Sequence, residues 1–263
     1  RSRGGGGQAT QRRRKRYRYG RTIGVDDAAF TAGSHVMKAA VLHAINDLRV
    51  EDIATPKPGP GEVLVRIGSC GVCGSDIPRV FSKGTYSFPT VCGHEFAGTV
   101  VSAGATLASG TQVTVFPLLW CGKCPECERG AYARCSDYDY LGSRSDGGFA
   151  EYVVAPEKNC IPLPTGVSLE EGAMIEPTAV ALHAVKRSGL VAGESVAVFG
   201  AGPIGLSVIQ FAKLADVKLI VMDVSASRLE FCRKQFQIEH TIGANDDAFA
   251  KLAAIGGELP AAV

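Results

Sequence analysis

Four cysteines lie close together near the middle of the chain, at a spacing that suits metal binding. Cys121, Cys124, Cys127 and Cys135 follow the pattern C-x2-C-x2-C-x7-C. Two-residue gaps let neighbouring thiolates reach one ion, and the longer gap lets the loop close around it. Such crowding favours a metal site over a disulfide framework. Because cysteines fill all four positions of a tetrahedron, we predict a closed, structural zinc site.

A second set of potential metal ligands is scattered along the chain. Cys73 precedes Gly74, His94 and Glu95 follow Gly93, and Glu176 precedes Pro177. A catalytic zinc takes three protein ligands and keeps one position open, and sulfur, nitrogen and oxygen donors all suit it. Each residue alone is also consistent with a structural role, since a lone cysteine is usually a small core residue. Taken together, the four residues predict a catalytic zinc site.

A glycine-rich turn follows the apolar run 195–199 and precedes a stretch with helical periodicity; it reads Gly200-Ala201-Gly202-Pro203-Ile204-Gly205. In a strand–turn–helix unit the first glycine makes the turn, the second admits a pyrophosphate and the third allows close packing. The free amides at the helix start then hold the phosphates. Asp223 ends the next predicted strand, where a carboxylate bonds ribose hydroxyls and repels a 2′-phosphate, so NAD is predicted rather than NADP. The alternative is a glycine-rich turn in another α/β protein.

The predicted secondary structure that must position these residues changes in type near Ser168. Before it, short strands are broken by Gly and Pro, which is typical of a small β-barrel or sandwich. Ser168 and Glu171 form a capping box that predicts a helix to about Lys186. Strands and helices then alternate, which predicts two or three strands of a six-stranded doubly wound parallel sheet, cut off before completion. The predicted strands are 38–42, 62–69, 96–103, 112–116, 149–155, 195–199 and 218–222, and the later helices are 203–215 and 226–236.

Composition narrows the class of protein further. Of the 263 residues 46% are hydrophobic, which suits one or two packed domains, and no apolar run predicts a membrane span. Residues 1–21 hold nine of the 28 Lys and Arg residues and no acid. The remainder carries 19 basic and 26 acidic residues, so it has no electrostatic reason to bind nucleic acid.

Residues 1–36 differ in character from the rest, because they are of low complexity and lack hydrophobic periodicity. They predict a disordered basic extension. Two interpretations remain open: a nucleic-acid or targeting arm, or a stretch upstream of a true start at Met37. Nothing resembles a secretory signal, so we expect a cytoplasmic protein.

From Met37 to Val263 the order of motifs resembles that of the zinc-containing medium-chain alcohol and polyol dehydrogenases. Glu176 stands where the alcohol dehydrogenases carry a second cysteine ligand, which is similar to the sorbitol dehydrogenase branch. The segments 73–81, 117–119 and 140–152 look like those of dehydrogenases that act on galactitol 1-phosphate. The sequence departs from the alcohol dehydrogenase pattern at Ile77 and Pro78, where no histidine completes a proton relay.

The resemblance implies a fold and a domain organisation. A GroES-like β-barrel catalytic domain would span 37–185, and the N-terminal part of a Rossmann NAD-binding domain would span 186–263, with the active site between them. In this family a further C-terminal part completes the nucleotide domain and the subunit interface. We therefore expect the full-length parent to be a homo-oligomer.

The resemblance also implies roles for the scattered ligands. Cys73, His94 and Glu176 would hold the catalytic zinc, and Glu95 would be an adjacent or exchanging ligand. Asp76 would orient the ring of His94. The proton relay would run through Ser75 and water.

The implied reaction is hydride transfer between NAD and a secondary alcohol of a polyol or polyol phosphate, such as sorbitol or galactitol 1-phosphate, to give a ketose. Arg79 and Arg144 could meet a phosphate, although each also fits a solvated or structural arginine. The remaining cysteines are interpreted as buried thiols: Cys70, Cys92, Cys160 and Cys232. Two other interpretations are a non-catalytic fragment of such an enzyme and a zinc-ribbon nucleic-acid binder. The acidic remainder and the glycine-rich turn argue against the second.

Overall fold

The computed structural model describes residues 36–102, 104–245, 247–256 and 261–262, which belong to one compact unit. The predicted extension 1–36 lies outside the described residues except for Val36, which begins the first strand. Within the described ranges no helix is long and apolar enough to cross a membrane.

The first part of the chain is built from antiparallel strands. β1 (Val36–Ala44) pairs with β2 (Asp47–Ala54) and, over two residues, with β4 (Thr90–Val91). Five further strands form a sheet in the order β10-β6-β5-β3-β9; they are β3 (Glu62–Gly71), β5 (Glu95–Val100), β6 (Gln112–Val115), β9 (Tyr152–Pro156) and β10 (Cys160–Pro162). Its core contains Val63, Phe96, Val113 and Val153, all nearly inaccessible to water.

Short elements connect these strands and carry much of the chemistry. Asp76–Pro78 is a helical turn (α1) that continues into a π-turn over Arg79–Lys83. β7 (Leu118–Leu119) and β8 (Asp139–Tyr140) pair as a separate ladder. Between them lie α2 (Pro125–Glu128) and a 3₁₀ turn, Tyr132–Arg134. A second 3₁₀ turn, Glu157–Asn159, separates β9 from β10.

The helix predicted from Ser168 to Lys186 is two helices. Ser168 and Glu171 make the predicted capping box, and α3 (Leu169–Ala173) follows it. After Met174, α4 runs over Ile175–Ser188 and ends at Gly189 in the left-handed region. The break has a local cause, because Pro177 has no N–H to donate to the carbonyl of Ala173 and its ring would clash there. The break places Glu176 in the first turn of a new helix.

The second part is a parallel sheet of four described strands in the order β13-β12-β11-β14, with connecting helices. Two or three strands were predicted, so this expectation was wrong by at least one strand. The strands are β11 (Ser195–Phe199), β12 (Lys218–Asp223), β13 (His240–Gly243) and β14 (Ala261–Ala262), and the helices are α5 (Pro203–Lys213), α6 (Ala226–Phe236) and α7 (Ala248–Gly256).

Both faces of this sheet are covered. Val196 and Val221 pack on one face among residues of α4, α5 and α6, while Ala197 and Ile220 pack on the other against α7. This alternation follows from the two-residue period of a strand. The observed architecture agrees with the predicted fold class of a β-barrel followed by part of a doubly wound sheet. The predicted boundary between residues 185 and 186 falls within α4 and stays a prediction.

Candidate active site

The four cysteines of the lobe between β7 and β8 lie together in space. Cys121 and Cys127 are 4.0 Å apart at their sulfurs, and Cys124 and Cys135 are 3.9 Å apart. All four sulfurs lie within 4.8 Å of one another, and the cysteines are free of disulfides. Zn–S bonds of about 2.3 Å in a tetrahedron place sulfurs roughly 3.8 Å apart. The cluster therefore fits one zinc ion without rearrangement.

Backbone N–H groups of the lobe point at these sulfurs. The N–H of Cys121 lies 3.3 Å from the sulfur of Cys135. Hydrogen bonds from the N–H groups of Ser136 and Cys127 lower the pKa of the Cys124 thiol, whereas burial raises the pKa of Cys127. A zinc ligand must be a thiolate, so the N–H groups help to prepare the cluster for the ion.

A second cluster joins Cys73, His94 and Glu95, whose ligand atoms lie within 4.8 Å of one another. His94 is 5% exposed and Glu95 is 7% exposed. Cys73 follows the end of β3, and Glu95 begins β5 opposite Gly71. A Cβ on Gly71 would lie 2.4 Å from a carboxylate oxygen of Glu95, so glycine is needed for this approach. Buried acids and imidazoles are costly unless paired or bound to a metal, so the cluster fits a zinc ion.

Asp76 connects this cluster to its surroundings and is 2% exposed. It accepts hydrogen bonds from the N–H of Cys73 at 3.0 Å and from Nη1 of Arg79 at 3.2 Å. Nδ1 of His94 lies 3.5 Å from Oδ1 of Asp76, and it is a buried nitrogen with no hydrogen bond within the described residues. Since Nδ1 faces the carboxylate, Nε2 is the nitrogen left for a metal, as in other carboxylate–histidine–zinc arrangements.

Glu176 lies beside this cluster rather than within the group of ligand atoms. Its Oε1 accepts a hydrogen bond from the hydroxyl of Tyr140 at 3.1 Å. Burial raises the pKa of Glu176, while the charge of His94 acts in the opposite direction. The ring of Tyr140 also meets the His94 ring edge-on, with centroids 5.8 Å apart. The geometry thus makes Glu95 the nearer third ligand, whereas the resemblance had implied Glu176.

Ser75 lies between the cluster and an open cavity. Its N–H points at the sulfur of Cys73 at 3.5 Å, and its Oγ accepts a hydrogen bond from Nη1 of Arg79 at 2.7 Å. Sequence reasoning assigned no such contact to Arg79 and no role to Tyr140. Neither residue belongs to a spacing pattern that a metal would require, so only the fold reveals these partners.

The glycine-rich turn lies between β11 and α5, as predicted. Gly200 has φ +99°, a value that favours glycine. A Cβ on Gly205 would lie 1.8 Å from the carbonyl oxygen of Gly200, whereas a Cβ on Gly202 would meet nothing within 4 Å. Gly202 is the N-cap of α5 and offers no side-chain cap, and Pro203 and Ile204 open the helix. The first amides of α5 are therefore free for a phosphate group.

Asp223 is the last residue of β12 and is 6% exposed. Its two carboxylate oxygens accept the N–H groups of Ala201 and Ser225, each at 2.7 Å. These hydrogen bonds hold the pKa of Asp223 below its usual range. Arg228 lies 3.7 Å from Oδ2. The carboxylate is thus charged and fixed at the end of the strand, where the sequence predicts that it binds ribose hydroxyls.

A barrel carrying these two clusters, joined to a sheet with this turn, defines a class of protein. A family model described as the alcohol dehydrogenase GroES-like domain matches residues 59–165. The chain belongs to the zinc-containing medium-chain dehydrogenases, because two solved alcohol dehydrogenases are 34% and 31% identical to it and are covered over 67% and 68% of their length. The resemblance and the fold class predicted from the sequence are confirmed.

Several individual relatives are known. Galactitol 1-phosphate 5-dehydrogenase of Escherichia coli K12 is 39% identical over 228 residues, which are 85% of this chain and 66% of that protein. The crystal structure of galactitol-1-phosphate dehydrogenase from Escherichia coli gives a TM-score of 0.78 at 38% identity, over 83% of this chain and 64% of that one. The chain therefore spans slightly less than two thirds of the length of these relatives.

Two other solved relatives contain cofactors. An alcohol dehydrogenase from Escherichia coli CFT073 in complex with NADH gives a TM-score of 0.78 at 34% identity, over 86% of this chain and 67% of that one. A thermostable alcohol dehydrogenase from Pyrobaculum aerophilum with bound cobalt and zinc gives a TM-score of 0.74 at 31% identity, over 82% of this chain and 68% of that one. The predicted cofactors, zinc and NAD, are therefore those of the family.

Proposed function

We propose that this protein is a zinc-dependent dehydrogenase that transfers a hydride between NAD and a secondary alcohol of a polyol or polyol phosphate, giving a ketose. The observation that carries the proposal is the cluster of half-buried Cys73 with buried His94 and Glu95, which offers one sulfur, one nitrogen and one carboxylate within 4.8 Å. The substrate class is supported by relatives whose names specify galactitol 1-phosphate and sorbitol.

In this proposal Cys73, His94 and Glu95 hold the catalytic zinc, and the four-cysteine lobe holds a structural one. Bound zinc would supply Lewis acidity that lowers the pKa of a substrate hydroxyl, and bound NAD would supply the hydride acceptor. Tyr140 holds the carboxylate of Glu176 beside the cluster through its hydroxyl. Glu176 is thereby kept within reach as an adjacent or exchanging ligand.

Ser75 carries the substrate proton towards solvent. Because Arg79 donates to Oγ of Ser75, one lone pair of the hydroxyl is occupied and its hydrogen is directed away from the guanidinium. Ser75 can then accept a proton from the substrate hydroxyl while passing its own to water. The glycine-rich turn and Asp223 would orient NAD through its pyrophosphate and ribose.

The proposal is tested on the full chain loaded with zinc. NADH formation is followed at 340 nm with galactitol 1-phosphate, galactitol and sorbitol. We expect the wild type to reduce NAD with at least one of these, and Cys73→Ser to abolish the reaction because a zinc ligand is lost. Cys160→Ser is the matched control, since Cys160 is a buried thiol at the start of β10 that lies outside both clusters.

Two results would reject the proposed function. One is a zinc-loaded wild-type chain that reduces NAD with none of the polyols. The other is a Cys73→Ser variant that retains wild-type turnover. The first would favour the interpretation that the chain is a non-catalytic fragment, and the second would mean that Cys73 does not hold a catalytic zinc. A cytoplasmic location, a homo-oligomeric full-length parent and the absence of nucleic-acid partners stay predictions.

A further inference from the structure

A cavity of about 420 Å³ opens beside the candidate catalytic cluster. Ser75 and Arg79 form the side next to the cluster, and the opposite side follows the π-turn and the loop after it. Two lining residues, Arg79 and Lys83, are cationic, and none is a carboxylate; the full lining is Ser75, Pro78, Arg79, Lys83, Gly84, Thr85 and Tyr86. The cavity is thus positively charged next to the serine that would contact the reacting hydroxyl.

Arg79 is fixed in position by two hydrogen bonds, which use only part of its guanidinium. Its side chain is 22% exposed, and its Nη1 makes the hydrogen bonds to Ser75 and Asp76. Among the described residues, Nε and Nη2 of Arg79 form no hydrogen bond. A guanidinium has five N–H groups in a fixed fork that matches the oxygens of a phosphate. Arg79 therefore has N–H groups left for an anion while its position stays fixed.

Lys83 supplies the second cation. It is the last residue of the π-turn and is exposed, and it has no salt bridge within the part of the chain that the structure describes. A third positive charge lies next to the lining residue Tyr86, because the guanidinium of Arg144 lies 4.0 Å from the centre of the Tyr86 ring. The buried Asp76 offsets part of the charge of Arg79, which leaves a net positive lining.

We propose that this cavity binds the phosphate of an acyclic polyol phosphate and thereby selects phosphorylated over free polyols; the inference rests on the proposed function. A phosphate monoester carries a charge of about −1.5 to −2 at pH 7 and three acceptor oxygens. Arg79 and Lys83 match that charge and provide directed donors. A free polyol would leave both cations facing water, and a carboxylate would neutralise only one.

The test is isothermal titration calorimetry on the zinc-loaded full chain without NAD, so that the heat reports binding and not turnover. The probes are galactitol, galactitol 1-phosphate and L-galactonate, of which the first two differ only in the phosphate. We expect galactitol 1-phosphate to bind at least about ten-fold more tightly than galactitol, since charge-assisted hydrogen bonds are among the strong ones. L-galactonate should bind more weakly than galactitol 1-phosphate.

Two variants locate the effect. Lys83→Ala should reduce the ratio of the two affinities roughly ten-fold, and Arg79→Lys should reduce it as well because the fork is lost while the charge is kept. Lys57→Ala, another exposed lysine that does not line the cavity, should retain the wild-type ratio. Thermal melting of each variant shows whether it remains folded.

The outcomes separate the two proposals. Equal affinity for galactitol and its phosphate, tighter binding of L-galactonate, or a full preference retained in Lys83→Ala would each overturn the phosphate site. Each of these would leave the dehydrogenase proposal standing if NADH is still formed. If no polyol binds to the zinc-loaded chain and none is oxidised when NAD is added, both proposals are overturned.

Discussion

Gly202 and Gly205 lie three residues apart in the nucleotide loop, and a methyl group at each would meet different surroundings. At Gly205 it would lie 1.8 Å from the carbonyl oxygen of Gly200, and at Gly202 it would meet open space. We predict that Gly205→Ala destabilises the chain by roughly 1–3 kcal/mol or more, because backbone must move. Gly202→Ala should be as stable as the wild type, since the φ of −77° at this position suits alanine. Its affinity for NAD should fall about ten-fold, because the added methyl group would occupy the space that the pyrophosphate needs.

Thermal melts and fluorescence titration with NADH check this pair of variants. The two readouts should separate: stability falls in Gly205→Ala, and binding alone falls in Gly202→Ala. Unchanged NADH affinity in Gly202→Ala would mean that the pyrophosphate does not approach this glycine. An unchanged melting temperature in Gly205→Ala would mean that the turn has a different shape.

Residues differ in how well the sequence alone could place them. The four cysteines of the lobe follow one short spacing, so the chain connectivity itself brings them together. Cys73 follows β3, whereas His94 and Glu95 lie at the start of β5, and the pairing of Gly71 with Glu95 brings the two segments together. Tyr140 could not be assigned, because its contact with Glu176 spans 36 residues and follows from the helix break.

At the scale of elements, one carboxylate fastens a loop to the barrel. Glu157, in the 3₁₀ turn after β9, accepts the N–H groups of Ala105, Thr106 and Leu107. These hydrogen bonds, led by Thr106, lower the pKa of Glu157 from 4.5 to about 2. A carboxylate with a lowered folded-state pKa stabilises the fold above its unfolded pKa, and this contribution is lost as the pH falls through the folded pKa.

We therefore predict that Glu157→Gln is less stable than the wild type above about pH 5, and that the difference shrinks between pH 4.5 and 2. The difference is measured from the melting temperatures of both proteins over this pH range. Acid also protonates the zinc thiolates, but this effect is common to both proteins and cancels in the difference. Glu239→Gln is the control, because that side chain is 87% exposed and should show no such trend. A difference that is constant with pH would show that the charge of Glu157 does not hold the loop.

Helices and strands with a clear local sequence signal were predictable, and those that depend on pairing with distant segments were not. The helix 226–236 was predicted with the bounds of α6, which begins after Ser225 as its N-cap. The strand Asp47–Ala54 was missed because it is largely exposed and polar, so its formation depends on pairing with β1. The segment 149–155 is strand only from Tyr152. The backbone N–H groups of Phe149 and Glu151 instead donate hydrogen bonds to the carbonyls of Cys92 and Lys38.

At the scale of the whole molecule, the barrel and the parallel sheet have separate hydrophobic cores. The barrel core and the two cores on either face of the parallel sheet are formed by different residues. The change from short strands to alternating strands and helices near Ser168 predicted this division. The number of parallel strands was underestimated because β13 and β14 are only four and two residues long, too short to show a periodic pattern.

Both proposed zinc sites belong to the barrel part, but they differ in how open they are. The lobe would surround its ion with four sulfurs, whereas the cluster of Cys73, His94 and Glu95 would leave a position free. We predict two zinc ions per chain, released to a chelating dye in two phases. The fast phase belongs to the open site, because a chelator can occupy the free position, and the slow phase belongs to the closed lobe.

Trp120 makes the two phases distinguishable, because it is the only tryptophan of the chain and stacks on Tyr132 within the lobe, with ring centroids 4.5 Å apart. Its emission should stay constant during the fast phase and shift to longer wavelength during the slow one, as loss of zinc unfolds the lobe. Cys73→Ser should lack the fast phase and Cys124→Ser the slow one. A single zinc per chain, or a fast phase that already shifts the emission, would mean that the two sites are not independent within the molecule.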